Sequence, residues 1–408
     1  MNEVTAHAAH YFLQLAVILA VARACGWLMK RVGQPAVIGE MVAGVLLGPS
    51  LFGALSPGLS EKLFPADSKP VLFATAQLGL TLYMFTVGLE FSTSMLRSQW
   101  RRAASVSVAG IAAPSVLGAG VALWLMHLGG FFADNMTTGF AALFMAAAMS
   151  ITAFPMLARL ILEHRLTGTP AGTIAITAAS IDDVAAWIFL AAVLGSISGT
   201  PILLAAALGG GVLYCLASWK VVRPMLVWLS SRNDTNSLMG VMALLLAIGA
   251  WFTDMVGLYS VFGAFFLGAV VPRGGLAEKT AERIGPITSA LLLPVFFAYS
   301  GLNTKIGLLD TPFLWLVCGV VVAAAIAGKM LACYAAARLT GSNNADAFAI
   351  ASLMNARGLM ELILLNIGLA AGLISPLLFA VMVIMAIVTT LMATPCFNLA
   401  RRLGASGC

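Results

Sequence analysis

Thirteen apolar stretches constrain this chain more than any motif does. They run approximately over 11–30, 35–53, 70–91, 102–126, 136–162, 172–197, 201–229, 238–254, 256–272, 284–302, 312–339, 345–373 and 376–400. A helix of about 20 apolar residues crosses the hydrocarbon core of a bilayer, and these stretches are of that order. Pro and Gly mark most of the boundaries, and the division at 254–257 is the weakest. With 61% hydrophobic and 9% charged residues over 408 positions, the chain reads as an all-α polytopic membrane protein with about 13 transmembrane helices. That composition excludes a soluble enzyme. The six cysteines fall mostly in apolar stretches without metal-ligand spacing and read as small core hydrophobes. Met1 to His10 carries no Lys or Arg, so the first stretch is expected to be retained rather than cleaved as a signal peptide.

A net charge of +6 would suggest nucleic acid in a soluble chain; here no nucleic acid is expected, and the basic residues report topology instead. With the N-terminus outside, the inner connections carry 16 basic residues: Lys30, Arg31, Arg97, Arg101, Arg102, Arg159, Arg165, Lys220, Arg223, Arg232, Arg273, Lys279, Arg283, Arg338, Arg401 and Arg402. The outer ones carry only 3, Lys62, Lys69 and Lys305. This asymmetry predicts a cytoplasmic C-terminus, in what is expected to be a bacterial inner membrane. Arg23, Lys329 and Arg357 fall inside stretches. Arg23 is near a cytoplasmic end and reads as a snorkelling side chain. Glu40 and Glu90 also lie towards cytoplasmic ends and take structural roles beside Lys30, Arg31 or Arg97.

The sixth stretch carries two adjacent carboxylates, Asp182 and Asp183, in the run Ser180-Ile181-Asp182-Asp183-Val184-Ala185-Ala186-Trp187. Successive helical positions point about 100° apart, so one carboxylate can meet a neighbouring helix while the other faces a cavity. At that depth such a pair persists only where it binds protons, cations or a basic side chain. Lys329, well inside the eleventh stretch, is the expected basic partner of one of the two. Two stretches look broken. The fifth holds Ser150-Ile151-Thr152-Ala153-Phe154-Pro155, where Pro155 removes a backbone donor; the plain alternative is a proline kink. The twelfth holds Asn355-Ala356-Arg357-Gly358, polar where an intact helix would carry Leu or Val. Broken helices free carbonyls and amides for ions. The two breaks lie seven stretches apart and so run in opposite directions, as in inverted repeats with two crossing discontinuous helices. Arg357 and Glu361 stand four apart on one helical face and either neutralise one another or serve in gating.

At these residues the chain resembles the monovalent cation/proton antiporter superfamily, in its second branch of Kef-type systems and plant cation/proton exchangers. The resemblance is carried by Pro35-Ala36-Val37-Ile38-Gly39-Glu40 with Gly44 to Pro49, by Gly88-Leu89-Glu90, and by the two breaks, Ser150 to Arg159 and Arg357 to Gly368. It implies a mobile core domain, 100–199 with 311–402, a dimer-forming scaffold, 8–93 with 237–303, and a linker helix, 201–230. It also implies that Asp183 is the essential ion- and proton-binding carboxylate and that Lys329 pairs with a carboxylate when no cation is bound. Asp at position 182, where other relatives carry Asn or Gln, implies electrogenic exchange. Two departures matter. Some relatives hold an acid at the fifth-stretch break, where this chain has Thr152 and Ala153. Kef and plant members continue into large cytoplasmic domains, while this chain stops soon after Arg402, so nucleotide or glutathione gating is not expected.

The expected function is therefore secondary active exchange of Na+, K+ or Li+ for H+ by a homodimer in the lipid bilayer, with no cofactor. Asp183, Asp182 and Thr152 are the expected cation and proton site. An intramembrane aspartyl protease needs its two Asp on facing helices, and here they are adjacent. A sodium-coupled symporter would need a solute cavity and could dispense with the acids and Lys329; a channel would need no proton coupling.

Overall fold

The computed structural model describes residues 3–90, 96–163, 166, 169–197, 201–231, 235–273 and 275–405. Arg165 and Arg232 lie outside the described residues, as do the side chains of Arg97, Arg159 and Pro155. The first half of the chain forms α1 (Glu3–Arg31), α2 (Ala36–Leu47), the short α3 (Phe52–Leu55) and α4 (Pro57–Leu63), α5 (Lys69–Glu90) and α6 (Leu96–Leu128). Then come α7 (Thr138–Ser150), α8 (Phe154–Glu163), α9 (Pro170–Ile197), α10 (Pro201–Ala217) and α11 (Arg223–Ser230). The second half forms α12 (Thr235–Met255), α13 (Ser260–Val270), α14 (Leu276–Ile287), α15 (Leu293–Leu302), α16 (Pro312–Leu339), α17 (Asn344–Met354), α18 (Leu359–Ala370) and α19 (Pro376–Ala405).

Among the described residues nine helices are long and apolar enough to cross a membrane, with shorter apolar helices at Thr138–Ser150, Ser260–Val270 and Met360–Ala370. The expected fifth and twelfth stretches are each two half-helices, α7 with α8 and α17 with α18. Pro155 decides break over kink. It is the second residue of α8, where its missing N–H has no intrahelical partner to lose, so the helix restarts there rather than bending through it.

By their contacts the residues form two units. The first comprises Met1–Leu15, Phe64–Thr93 and Trp187–Tyr299. Within it α5 and α13 approach at Gly88 and Gly268, where a Cβ on Gly268 would stand 2.9 Å from the Gly88 Cα. Small residues let backbones meet where hydrophobic exclusion between helices is absent. Two π-helical turns, Ser218–Val222 and Thr288–Leu292, lie just before Pro224 and Pro294. Each proline would press on the carbonyl four residues back, Lys220 or Ala290, and the widened turn containing that carbonyl makes room.

The second unit comprises Ala16–Leu63, Ser94–Ala186 and Ser300–Cys408 and holds both breaks, the acid pair and Lys329. Here α6 packs on α7 and α16, and α17 packs on α16 and α19. Glycines set the α6 contacts: a Cβ on Gly118 would meet the Met145 carbonyl at 2.5 Å, and one on Gly328 the Leu117 side chain at 2.8 Å.

Candidate functional site

The two breaks meet. Ala153 N–H donates to the Ala356 carbonyl at 3.1 Å, so Ile151 to Ala153 and Asn355 to Gly358 lie against one another. Gly358 packs at ordinary distance on Ala153, its added Cβ falling 3.5 Å from that methyl group. Around this crossing stand α6, α9, α16 and α19, and the polar groups they bring are nearly dry. Asp182, Asp183, Thr152, Asn355, Lys329, Arg357 and Glu361 are all buried.

Asp182 and Asp183 have opposite surroundings. Asp182 accepts from the Ser107 hydroxyl at 2.6 Å on one oxygen, and from the Thr152 hydroxyl at 2.6 Å and the Lys329 ammonium at 3.0 Å on the other. Asp183 lies within electrostatic reach of the Phe154 N–H at the start of α8. Neither of its oxygens, however, accepts a hydrogen bond of ordinary geometry. The 100° step between neighbours on α9 accounts for this split, because only one of the two can face α6 and α16. Thr152, expected beside the cation, donates its hydroxyl hydrogen bond to Asp182.

Lys329 spends all three ammonium hydrogens. Besides Asp182 it donates to the Gly110 carbonyl at 2.7 Å and the Ser150 carbonyl at 2.6 Å. Both carbonyls lack a helical donor for reasons written in the chain. Pro114, four residues after Gly110, has no N–H to return, and Ser150 is the last residue of α7. Gly110 also leaves the lysine its space: a Cβ there would stand 2.7 Å from Cys333 Sγ and 3.6 Å from the lysine Nζ.

Arg357 completes the end of α7. Its guanidinium donates to the Ala148 carbonyl at 3.0 Å and the Met149 carbonyl at 2.5 Å. Its backbone N–H donates to Thr390 Oγ1 on α19 at 3.0 Å. The Ile151 N–H takes the Ala147 carbonyl at 3.3 Å. The four final carbonyls of α7 are thus all partnered, three of them by fixed cations suited to the negative end of a helix. Glu361 approaches Arg357 only to 3.9 Å, a charge contact without a hydrogen bond, and both its oxygens lack hydrogen-bond partners. Arg357 is therefore held mainly by backbone, and the neutralising partner foreseen for it is secondary.

Ser107, Gly110 and Thr390 were not singled out by sequence reasoning. A lone Ser, Gly or Thr in an apolar helix carries no spacing signal. Pro114 was the one available hint, since a mid-helix proline always leaves a carbonyl looking for a donor.

The pattern described as sodium/hydrogen exchanger, transmembrane, matches residues 17–399. The chain belongs to that family. This exchanger is 41% identical over 388 residues to the Na+/H+ antiporter NhaS4 of Synechocystis sp., covering 93% of this chain and 94% of that one. It is 36% identical to cation/H+ antiporter 20 of Arabidopsis thaliana and 33% identical to K+/H+ antiporter 1 of Saccharomyces cerevisiae. In both cases 94% of this chain is covered but only 47% and 46% of the relative, so the exchanger spans about half the length of those two proteins. In fold it is similar to the sodium proton antiporter MjNhaP1 of Methanocaldococcus jannaschii, with a TM-score of 0.65 over 97% of this chain and 98% of that one at 17% identity.

Proposed function

We propose that this exchanger is a secondary active antiporter of a monovalent cation, Na+ or K+, against H+, working by alternating access, with Asp183 as the carboxylate for which cation and proton compete. The observation that carries the reading is the contrast within the acid pair. Asp182 takes three donors, one of them a cation, while Asp183 is buried with no basic partner and only the Phe154 N–H within electrostatic reach. A carboxylate in that position is stable only while it holds a proton or a cation, and one site serving both makes exchange obligatory. Relatives that are Na+/H+ and K+/H+ antiporters support the same substrates, and the symporter reading has no support among them.

The local chemistry follows. Lys329 holds Asp182 in the cation-free state. A cation reaching Asp183 competes with the ammonium for the field of the acid pair, and the lysine can loosen from Asp182 while keeping the Gly110 and Ser150 carbonyls. Release of the cation and return of the lysine reset the pair. If both acids change protonation in the cycle, more than one proton moves per cation and transport responds to voltage. The mobile core would be 100–199 with 311–402, the scaffold of a homodimer 8–93 with 237–303, and 201–230 the linker. The N-terminus would lie outside a bacterial inner membrane and the C-terminus inside.

Purified protein in proteoliposomes with a lumenal pH dye tests this. Addition of Na+, K+ and Li+ in turn is expected to drive proton movement that disappears in Asp183→Asn. In Asp182→Asn the voltage response should fall. Absence of cation-dependent proton movement across a range of pH, from well-folded protein, would overturn the proposal.

A further inference from the structure

The two half-helices that end at the crossing are finished differently. The last carbonyls of α7 are held by Lys329 and Arg357. Among the described residues no lysine or arginine side chain donates to the last carbonyls of α17. The Ser352 and Leu353 carbonyls take the backbone N–H groups of Asn355 and Ala356. Among the described residues the Met354 carbonyl has the Thr152 hydroxyl at 3.4 Å, whose single proton is already engaged at 2.6 Å on Asp182. A helix end of negative partial charge, buried in apolar surroundings, calls for a cation.

Asn355 follows directly as the cap residue of α17, fully buried, and both ends of its side-chain amide lack hydrogen-bond partners. Burying an amide without hydrogen-bond partners is costly. With neither end engaged, the amide is free to present its oxygen. Its two chain neighbours set its backbone against the segment that touches the acid pair. The Met354 carbonyl is against Thr152, the Ala356 carbonyl accepts from Ala153, and the next residue, Phe154, has the N–H within reach of Asp183. An unpartnered amide and a carboxylate without a basic partner therefore lie on the break segment and the helix beside it, at a half-helix end where, among the described residues, no lysine or arginine donates.

On this basis we infer that Asn355 is a ligand of the transported cation and sets which monovalent cation the site prefers. Its amide oxygen and the Met354 carbonyl supply neutral oxygens, and Asp183 supplies the charge. Neutral carbonyl oxygens replace hydration water and discriminate among cations by their number and field strength, while the carboxylate governs competition with protons. The inference rests on the antiport reading above and adds the residue that selects the ion.

The test compares wild type, Asn355→Ala and Asn355→Ser in proteoliposomes, measuring apparent affinity for Na+, K+ and Li+ at fixed pH. Loss of one oxygen from a charged partner is expected to weaken the preferred cation about tenfold in Asn355→Ala. The three cations should not weaken equally, so their ratios shift, and Asn355→Ser should fall between. A merely structural role would lower stability and leave the ratios of the folded fraction unchanged, and that result in either variant overturns the inference. Absence of cation-dependent proton movement in wild type would count against the antiport reading alone. Isothermal titration with each chloride salt then reads the ligand directly. Equal affinities for wild type and Asn355→Ala would overturn the assignment, and a loss confined to the variant would uphold it.

Discussion

Replacing Lys329 by Met and Asp182 by Asn, singly and together, tests the central ion pair quantitatively. Lys329→Met leaves a buried anion with two hydroxyl donors and frees the Gly110 and Ser150 carbonyls. Asp182→Asn leaves a buried ammonium with two carbonyls and no counter-charge. Breaking a buried pair from one side costs about 3–5 kcal/mol. If the two changes were independent, the double variant would lose about 6–10 kcal/mol, enough to consume the ~5–15 kcal/mol stability of an ordinary domain. The double variant instead removes both charges, and the introduced amide keeps one of the two hydroxyls, Ser107 or Thr152, on its oxygen while its nitrogen donates to the other hydroxyl or to a freed carbonyl. Neutral replacement of a buried pair is often close to isoenergetic, so the double variant should lie within about 2 kcal/mol of wild type. Reversible unfolding in mixed micelles titrated with sodium dodecyl sulfate, followed by tryptophan fluorescence, gives the four stabilities. Additive losses, within about 0.5 kcal/mol, would refute the reasoning that these two charges stabilise one another.

Three further outcomes are expected. Asp183→Asn should leave stability equal to wild type or raise it by about 1 kcal/mol while exchange is lost, because it removes a buried ionisable acid that has no basic partner; the same micelle titration reads it. Arg357→Lys should cost about 1–3 kcal/mol despite keeping the charge, since one ammonium on a different stem does not reproduce the fork that serves Ala148 and Met149, and thermal unfolding in detergent checks this. Pro114→Ala returns an N–H to the Gly110 carbonyl and takes one acceptor from Lys329. Proteoliposome assays should then show a higher apparent cation affinity with no loss of stability.

Much of the site could be read from the chain because membrane insertion makes polar residues conspicuous. Asp182, Asp183, Lys329, Arg357 and Glu361 stand out against apolar neighbours, and each is buried in the structure. Pro155 and the polar run from Asn355 to Gly358 likewise mark both breaks in the sequence. Ser107 could not be found that way: it lies 75 residues from the carboxylate it serves, in a helix whose composition is unremarkable.

The sequence by itself determined the helical class, the positions of the interruptions and the identity of the charged groups, because a bilayer leaves backbone and charge few alternatives. Only the tertiary structure decided that Lys329 takes Asp182 across 147 residues and leaves Asp183 without a basic partner. It also decided that α7 ends on two fixed cations while α17 ends beside an unpartnered amide. The physical reason is that adjacent residues on one helix face different neighbours, and which neighbour stands on each side is set by packing among helices far apart in the chain.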